Sequence, residues 1–197
     1  MIPRRALLIL MAASIGAAAG CGESHMRSPL APGSMNRGPA GPGTGGNVGN
    51  MIVTGEFDYL ARMIPHHEEA IAAARHLRAG TARQEMRDFA DAIVRTQSAE
   101  VIQMQAWLAE WYPGRDASVT YQPMMRDLTG LTAGALDRAF LEDMIPHHMM
   151  AVAMSQQLLV RGPAAHPDVV PFAARIRDTQ REEILMMNAW LRLWFGA

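Results

Sequence analysis

The sequence predicts an all-α protein, a four-helix bundle built from two tandem helix-hairpin repeats, and three observations predict it. The pentapeptide Met63-Ile64-Pro65-His66-His67 returns whole as Met144-Ile145-Pro146-His147-His148. The likeness extends in both directions. Upstream, Glu56-x-x-Tyr59-x-x-x-Met63 answers Asp137-x-x-Phe140-x-x-x-Met144. Downstream, Gln97, Glu100, Met104, Trp107 and Trp111 answer Gln180, Glu183, Met187, Trp190 and Trp194 with the same gaps. Self-similarity over this length marks a duplicated supersecondary unit. Finally, apolar residues recur at helical spacing, and no segment shows sustained strand alternation closed by hairpin turns. The offset is 81 residues for the histidine motifs and 83 for the Gln/Glu motifs, so two additional residues fall in the second repeat's connecting loop.

Residues 1–21 read as an export leader rather than structure: Arg4-Arg5, an apolar run from Ala6 to Ala19, then small residues before Cys21. The run is too short to span a bilayer comfortably. Cys21 is the only cysteine, which rules out an intrachain disulfide. Ala18-Ala19-Gly20-Cys21 resembles the lipobox of bacterial lipoproteins, with Ala18 in place of the usual branched residue, and implies lipid attachment at Cys21; simple cleavage and secretion is the alternative. Residues 22–53 are rich in Gly, Pro, Ser and Asn and read as a flexible tether, in which His25, Met26 and Met35 are spacer residues.

Residues 54–197 are enough for one compact core. Thr54 is placed to cap a first helix running to about Arg78, with Gly80 as its stop. Thr81-x-x-Gln84 has the form of a capping box opening a second helix, which ends at Tyr112-Pro113-Gly114. A loop carrying Tyr121, Pro123, Met124 and Met125 leads to a third helix from about Thr132 to Val160. Gly162-Pro163 breaks it, and a fourth runs from about Pro167 to Phe195. Short connections within each repeat make the hairpins antiparallel, and a bundle is their natural packing.

The formal net charge is −1 and no basic run appears, which excludes nucleic acid as a natural partner. All 18 positive residues are Arg. Methionine is far above ordinary usage at 16 of 197 residues, and several lie beside the histidines.

Pro65 and Pro146 fall inside the first and third helical patterns, where each removes a backbone hydrogen bond beside the histidine pair. At about 100° per residue, His67 points with Met63, Ala70 and Ala74 into the apolar face while His66 lies on its flank. The second repeat does the same with Met144, His147 and His148. It adds Met150 and Met154 where the first repeat has Glu69 and Ala73. Gln97, Glu100, Met104, Trp107 and Trp111 share one core-facing stripe of the second helix, as their counterparts do on the fourth. A buried carboxylate needs a partner, so Glu100 and Glu183 are read as acceptors for histidines of neighbouring helices, a contact that fixes the imidazole tautomer; direct ligation is the other reading. Gln97 and Gln180 share this assignment.

Two adjacent histidines beside a methionine, given twice, read as metal ligands rather than core residues. Imidazole with thioether favours copper, Cu(I) above all, and imidazole alone also admits Cu(II) or zinc. Calcium or magnesium would need an oxygen-rich cage that the motifs do not supply. A di-iron centre would need Glu-x-x-His pairs; the chain has only the reverse order, His66-x-x-Glu69, and has it once.

Met-Ile-Pro-His-His in a helix, followed by Gln-x-x-Glu-Ile-x-x-Met-x-x-Trp-Leu (Gln180 to Leu191 here, and Gln97 to Leu108 with Val101 for Ile), resembles the domain of unknown function 305 family over about residues 54–196. That family consists of ferritin-like four-helix domains, often exported, and includes CopM-type periplasmic copper-binding proteins. The resemblance implies copper bound through Met63, His66, His67, Met144, His147 and His148; Met150 and Met154 are further candidates from their place near the flank of His147.

Together these readings give an extracytoplasmic, lipid-anchored copper-binding protein of the periplasm or cell surface. It would sequester copper or exchange it with a donor or acceptor protein. The competing reading is a metal-dependent oxidase using Glu100 and Glu183 as ligands; no nucleophile elbow, phosphate loop or dinucleotide fingerprint accompanies it.

Overall fold

In the computed structural model, which describes residues 52–162 and 164–197, four helices follow one another: α1 (Glu56–Gly80), α2 (Gln84–Trp111), α3 (Ala133–Val160) and α4 (Val169–Phe195). No strand occurs among the described residues. The expected leader, Cys21, and the tether with His25, Met26 and Met35 lie outside the described residues, apart from Ile52 and Val53. Val53 does not belong to a spacer. It is fully buried in the core, and its N–H donates to Gln157 Oε1 at 3.0 Å, so the folded part starts before Thr54.

Each repeat forms an antiparallel hairpin, α1 with α2 and α3 with α4, and the two hairpins join through α1 against α3. The outer helices α2 and α4 approach each other much less closely. Apolar side chains form two clusters, one toward each end of the bundle. Tyr59, Leu60 and Met63 of α1 meet Met104 of α2, Met150 and Met154 of α3 and Phe172 of α4 in the first. Ala74 and Leu77 of α1 meet Phe89 and Ile93 of α2, Phe140 and Met144 of α3 and Met187 of α4 in the second. Met63 thus belongs to one cluster and Met144 to the other, and the histidine pairs fall between them.

Two expectations about helix ends fail for local reasons. Thr54 does not cap α1: Gly55 is the cap residue, and the Thr54 N–H instead donates to Asp58 Oδ2 at 2.9 Å. The capping box at Thr81 does not form either. Thr81 terminates α1, its hydroxyl accepts from the Arg83 N–H, and Gln84 turns to Asp88. The three-residue connection is too short for Thr81 to serve both helices. Pro65 and Pro146 start no new helix; α1 and α3 run through them, each lacking the amide that would bond the carbonyl four residues earlier.

Each bundle end is closed by a clamp that crosses between repeats. Glu56 at the start of α1 accepts from the His166 backbone N–H at 3.0 Å, from its ring Nδ1 at 2.5 Å and from the Tyr112 hydroxyl at 2.7 Å. Trp111 stacks on that imidazole, ring centroids 4.0 Å apart. At the other end the equivalents are Asp137, Arg83 and Trp194. Arg83 Nε lies 3.2 Å from Asp137 Oδ2, and its guanidinium sits 4.4 Å over the indole.

Burial by itself would raise the Glu56 carboxyl. The hydrogen bonds from His166 and Tyr112 outweigh it and hold the group below its ordinary 4.5. A folded-state value below the unfolded one means that the contribution is fully present above the unfolded value and is lost as pH falls through the folded one. Between about pH 5 and pH 3, the urea midpoint of Glu56→Gln should therefore fall less steeply than that of the wild type. Parallel slopes would remove Glu56 from the acid sensitivity of the fold.

Candidate metal centre

Adjacent residues on a helix point about 100° apart, and the bundle uses that angle to send the two histidines of each motif in different directions. His66 and His147 face each other across the α1/α3 contact, ring centroids 3.7 Å apart. His67 turns to α2 and His148 to α4, each within its own hairpin. His67 Nε2 is 2.9 Å from Glu100 Oε2, and His148 Nε2 is 2.8 Å from Glu183 Oε2. Within each pair the ring centroids are 6.1 and 6.2 Å apart with the same 50° tilt, so the repeat in the sequence is a repeat in the geometry. His66 is not at an exposed flank, because the flank of α1 is the surface covered by α3. All four imidazoles are buried, the most accessible being His66 at 1%.

The hydrogen bonds decide which nitrogen carries the proton. A carboxylate or a carbonyl oxygen only accepts, so His67 and His148 donate Nε2–H to Glu100 and Glu183, and His66 donates Nε2–H to the His147 carbonyl at 3.0 Å. His147 Nε2 lies 3.3 Å from Glu69 Oε2, an ion-pair distance with a direction poor for a hydrogen bond. In every case Nδ1 is left over. The Nδ1 atoms of His66, His67, His147 and His148 are all buried without a hydrogen-bond partner. Burial first, then the neighbouring histidines His147, His67 and His148, holds His66 far below the ordinary imidazole value, and burial also lowers His147. Both are neutral, with a lone pair available.

Four such atoms in one interior are an unfavourable arrangement for a protein alone, since an unmade buried hydrogen bond costs about 1–3 kcal/mol. Metal ligation satisfies them. Among the described residues no three His, Cys, Asp or Glu side chains converge so as to hold an ion by themselves. A centre here would have to add other donors to the imidazoles, and thioether sulfur would make the set one for a soft ion of low coordination number. Met63 and Met144 are fully buried, one in each core cluster. Met150 and Met154 line a small cavity with His66, Tyr121 and Arg62.

The halves differ just after the histidines. Glu69 takes the place that Met150 holds in the second repeat, and it does more than its spacing from His66 suggested. It accepts from the Met124 and Met125 backbone amides at 2.8 and 2.9 Å and from the Tyr121 hydroxyl, pinning the inter-repeat loop over His147. Burial would raise its carboxyl, but the His147 ring beside it, the Tyr121 hydroxyl and the Met125 amide outweigh that and hold Glu69 below its ordinary 4.5. Burial and that carboxylate push the Tyr121 hydroxyl far above its ordinary value. The His66-x-x-Glu69 spacing was the only trace of this in the sequence, and nothing there showed that Glu69 reaches the other repeat. Gln97 and Gln180, grouped with the glutamates by their spacing, contact none of the histidines through Oε1; those oxygens are buried without a partner.

Residues 56–191 match the family model described as Domain of unknown function (DUF305). The chain belongs to this family. CopM in its Cu(I)-bound form is 28% identical to this DUF305 chain with a TM-score of 0.63, over 71% of this chain and 97% of that one. CopM in its Cu(II)-bound form is 31% identical, TM-score 0.60, over 71% and 98%. A DUF305 fragment from Deinococcus radiodurans is 30% identical, TM-score 0.61, over 71% and 96%. CopM is also known in an Ag-bound form. No curated protein matches the chain. The DUF305 fold of this chain is thus that of a protein solved with copper and with silver bound.

Proposed function

We propose that this protein is an extracytoplasmic copper-binding protein that sequesters Cu(I) or exchanges it with a donor or acceptor protein, and that Cys21 tethers it to the membrane. One observation carries the reading: four buried imidazole Nδ1 atoms without partners, set between two buried methionines. The ligands are Met63, His66, His67, Met144, His147 and His148, with Met150 and Met154 beside His66. Toward copper, Glu100 and Glu183 orient rather than ligate, since each commits Oε2 to an imidazole N–H that a ligating histidine keeps. The same contacts disfavour the oxidase alternative, in which those carboxylates would hold a redox metal at the histidine centre. The similarity to CopM supports copper as the cargo.

The test is a competitive titration of the chain from Gly22 onward with Cu(I) under reductant, Cu(II) and Zn(II). Tight preferential Cu(I) uptake is the expected result; tight binding of none of the three would overturn the reading. Thioether is a good ligand for Cu(I) and a poor one for Cu(II), so Met63→Leu with Met144→Leu should weaken Cu(I) binding by roughly tenfold or more while moving Cu(II) little. Equal losses for both ions, or none, would make the two methionines packing residues.

A further inference from the structure

We propose that the seam between α2 and α4 holds a second and separate metal site, for one hard divalent cation of the Mg2+ or Mn2+ class. Because the outer helices stand apart, their facing stripes do not close on each other. They leave a small cavity whose polar lining is Thr96, Gln97 and Glu100 from α2 and Thr179, Gln180 and Glu183 from α4. It measures about 10 Å3, close to the room one water-sized particle needs.

Two features point to a cation. Gln97 and Gln180 are each only 3% exposed, and the side-chain carbonyl oxygen of each has no hydrogen-bond partner. Native interiors leave few such acceptors unmatched. Glu100 and Glu183 add two carboxylates, 19% and 21% exposed, each giving only Oε2 to a histidine. The seam thus presents carboxylates, amide carbonyls and hydroxyls, every one an oxygen. A water could donate to both amide oxygens but would bring no positive charge to the two carboxylates that line the same cavity. A divalent cation satisfies the carbonyls and the carboxylates together. Oxygen-only donors select hard ions and reject Cu(I), so the seam and the histidine centre discriminate between ions although the glutamates border both. The duplication supplies the same Gln and Glu from each repeat, which is how an oxygen cage arises that neither motif contains by itself.

The experiment is titration of the full chain with Mn2+ alone, following free Mn2+ by EPR, with Mg2+ as competitor. A single equivalent should bind, and Gln97→Leu with Gln180→Leu should weaken it by roughly tenfold or more while helicity by circular dichroism is retained. Should that pair fail to fold, Gln97→Met alone should still give a measurable loss. No Mn2+ uptake by the wild type at millimolar concentration, the signature of a cavity holding water only, would overturn the site. So would an unchanged Mn2+ affinity in the folded glutamine variant. Cu(I) titration of the same variant separates this site from the histidine centre: retained Cu(I) uptake supports two sites, and a Cu(I) loss in step with Mn2+ would overturn the seam as a distinct one. Mn2+ uptake by a wild type that takes no copper would support the seam and sink only the copper reading.

Discussion

Replacing His67 and His148 together by alanine abolishes tight Cu(I) uptake and leaves the bundle helical. Each contributes a buried, partnerless Nδ1 whose tautomer is set by its glutamate. Removing a carboxylate that only orients a ligand typically costs 10–100-fold in metal affinity, so losing two ligands should cost roughly a hundredfold or more. The fold survives for a separate reason. Glu100 and Glu183 are about one-fifth exposed and turn to water when the imidazoles go, so no charge is stranded. The lost imidazoles leave cavities, but they also remove two unsatisfied nitrogens, and these effects oppose each other. A chromogenic Cu(I) chelator competition with far-UV circular dichroism on the same sample reads both quantities. Unchanged copper affinity in the folded double variant would refute the ligand assignment.

Much of this was legible because a duplicated motif carries geometry. The 81-residue return of Met-Ile-Pro-His-His fixed two hairpins, and the Gln-x-x-Glu stripe, placed on the partner helix of each hairpin, put Glu100 and Glu183 within reach of a histidine. What failed involved contacts between repeats, which a helical wheel cannot show. His66 reads as a flank residue on an isolated helix and becomes core because α3 covers that flank. Glu69 looks like half of a broken Glu/His pair and instead anchors a loop over the other repeat's His147. The oxygen-lined seam is invisible for the same reason, since it needs α2 and α4 at once. Thr81 shows a different limit: its capping-box pattern is real in sequence, but the residue is spent ending α1.

The two halves are alike in their Met-Ile-Pro-His-His motifs and unlike in surroundings, and this has a chemical meaning. His147 lies beside an ionised carboxylate, whereas His66 shares a small cavity with the thioethers of Met150 and Met154. A soft cation is held more favourably on the His66 side, where polarisable sulfur is at hand.

The clamps at the ends differ too, and the difference predicts the largest stability effect. Arg83→Met should destabilise the fold by about 3 kcal/mol, the low end of what breaking a buried ion pair costs. Asp137 is fully buried, with a side chain only 1% exposed, and neither of its carboxylate oxygens has a well-formed hydrogen bond; the 3.2 Å approach of Arg83 is its compensation. The low end applies because Arg83 is 37% exposed and water screens part of the interaction. Its contact with Trp194 adds a smaller loss, roughly 0.5–1 kcal/mol for a cation over an accessible ring. His166→Ala at the opposite end should cost less, because Glu56 keeps the Tyr112 hydroxyl and the backbone amide of residue 166. Adding Asp137→Asn to Arg83→Met should restore a large part of the loss by removing the stranded charge. Urea midpoints of the three variants measure the order. An Arg83→Met midpoint indistinguishable from wild type would mean that the Asp137 end is held by apolar packing alone, with Arg83 a surface residue that happens to lie nearby.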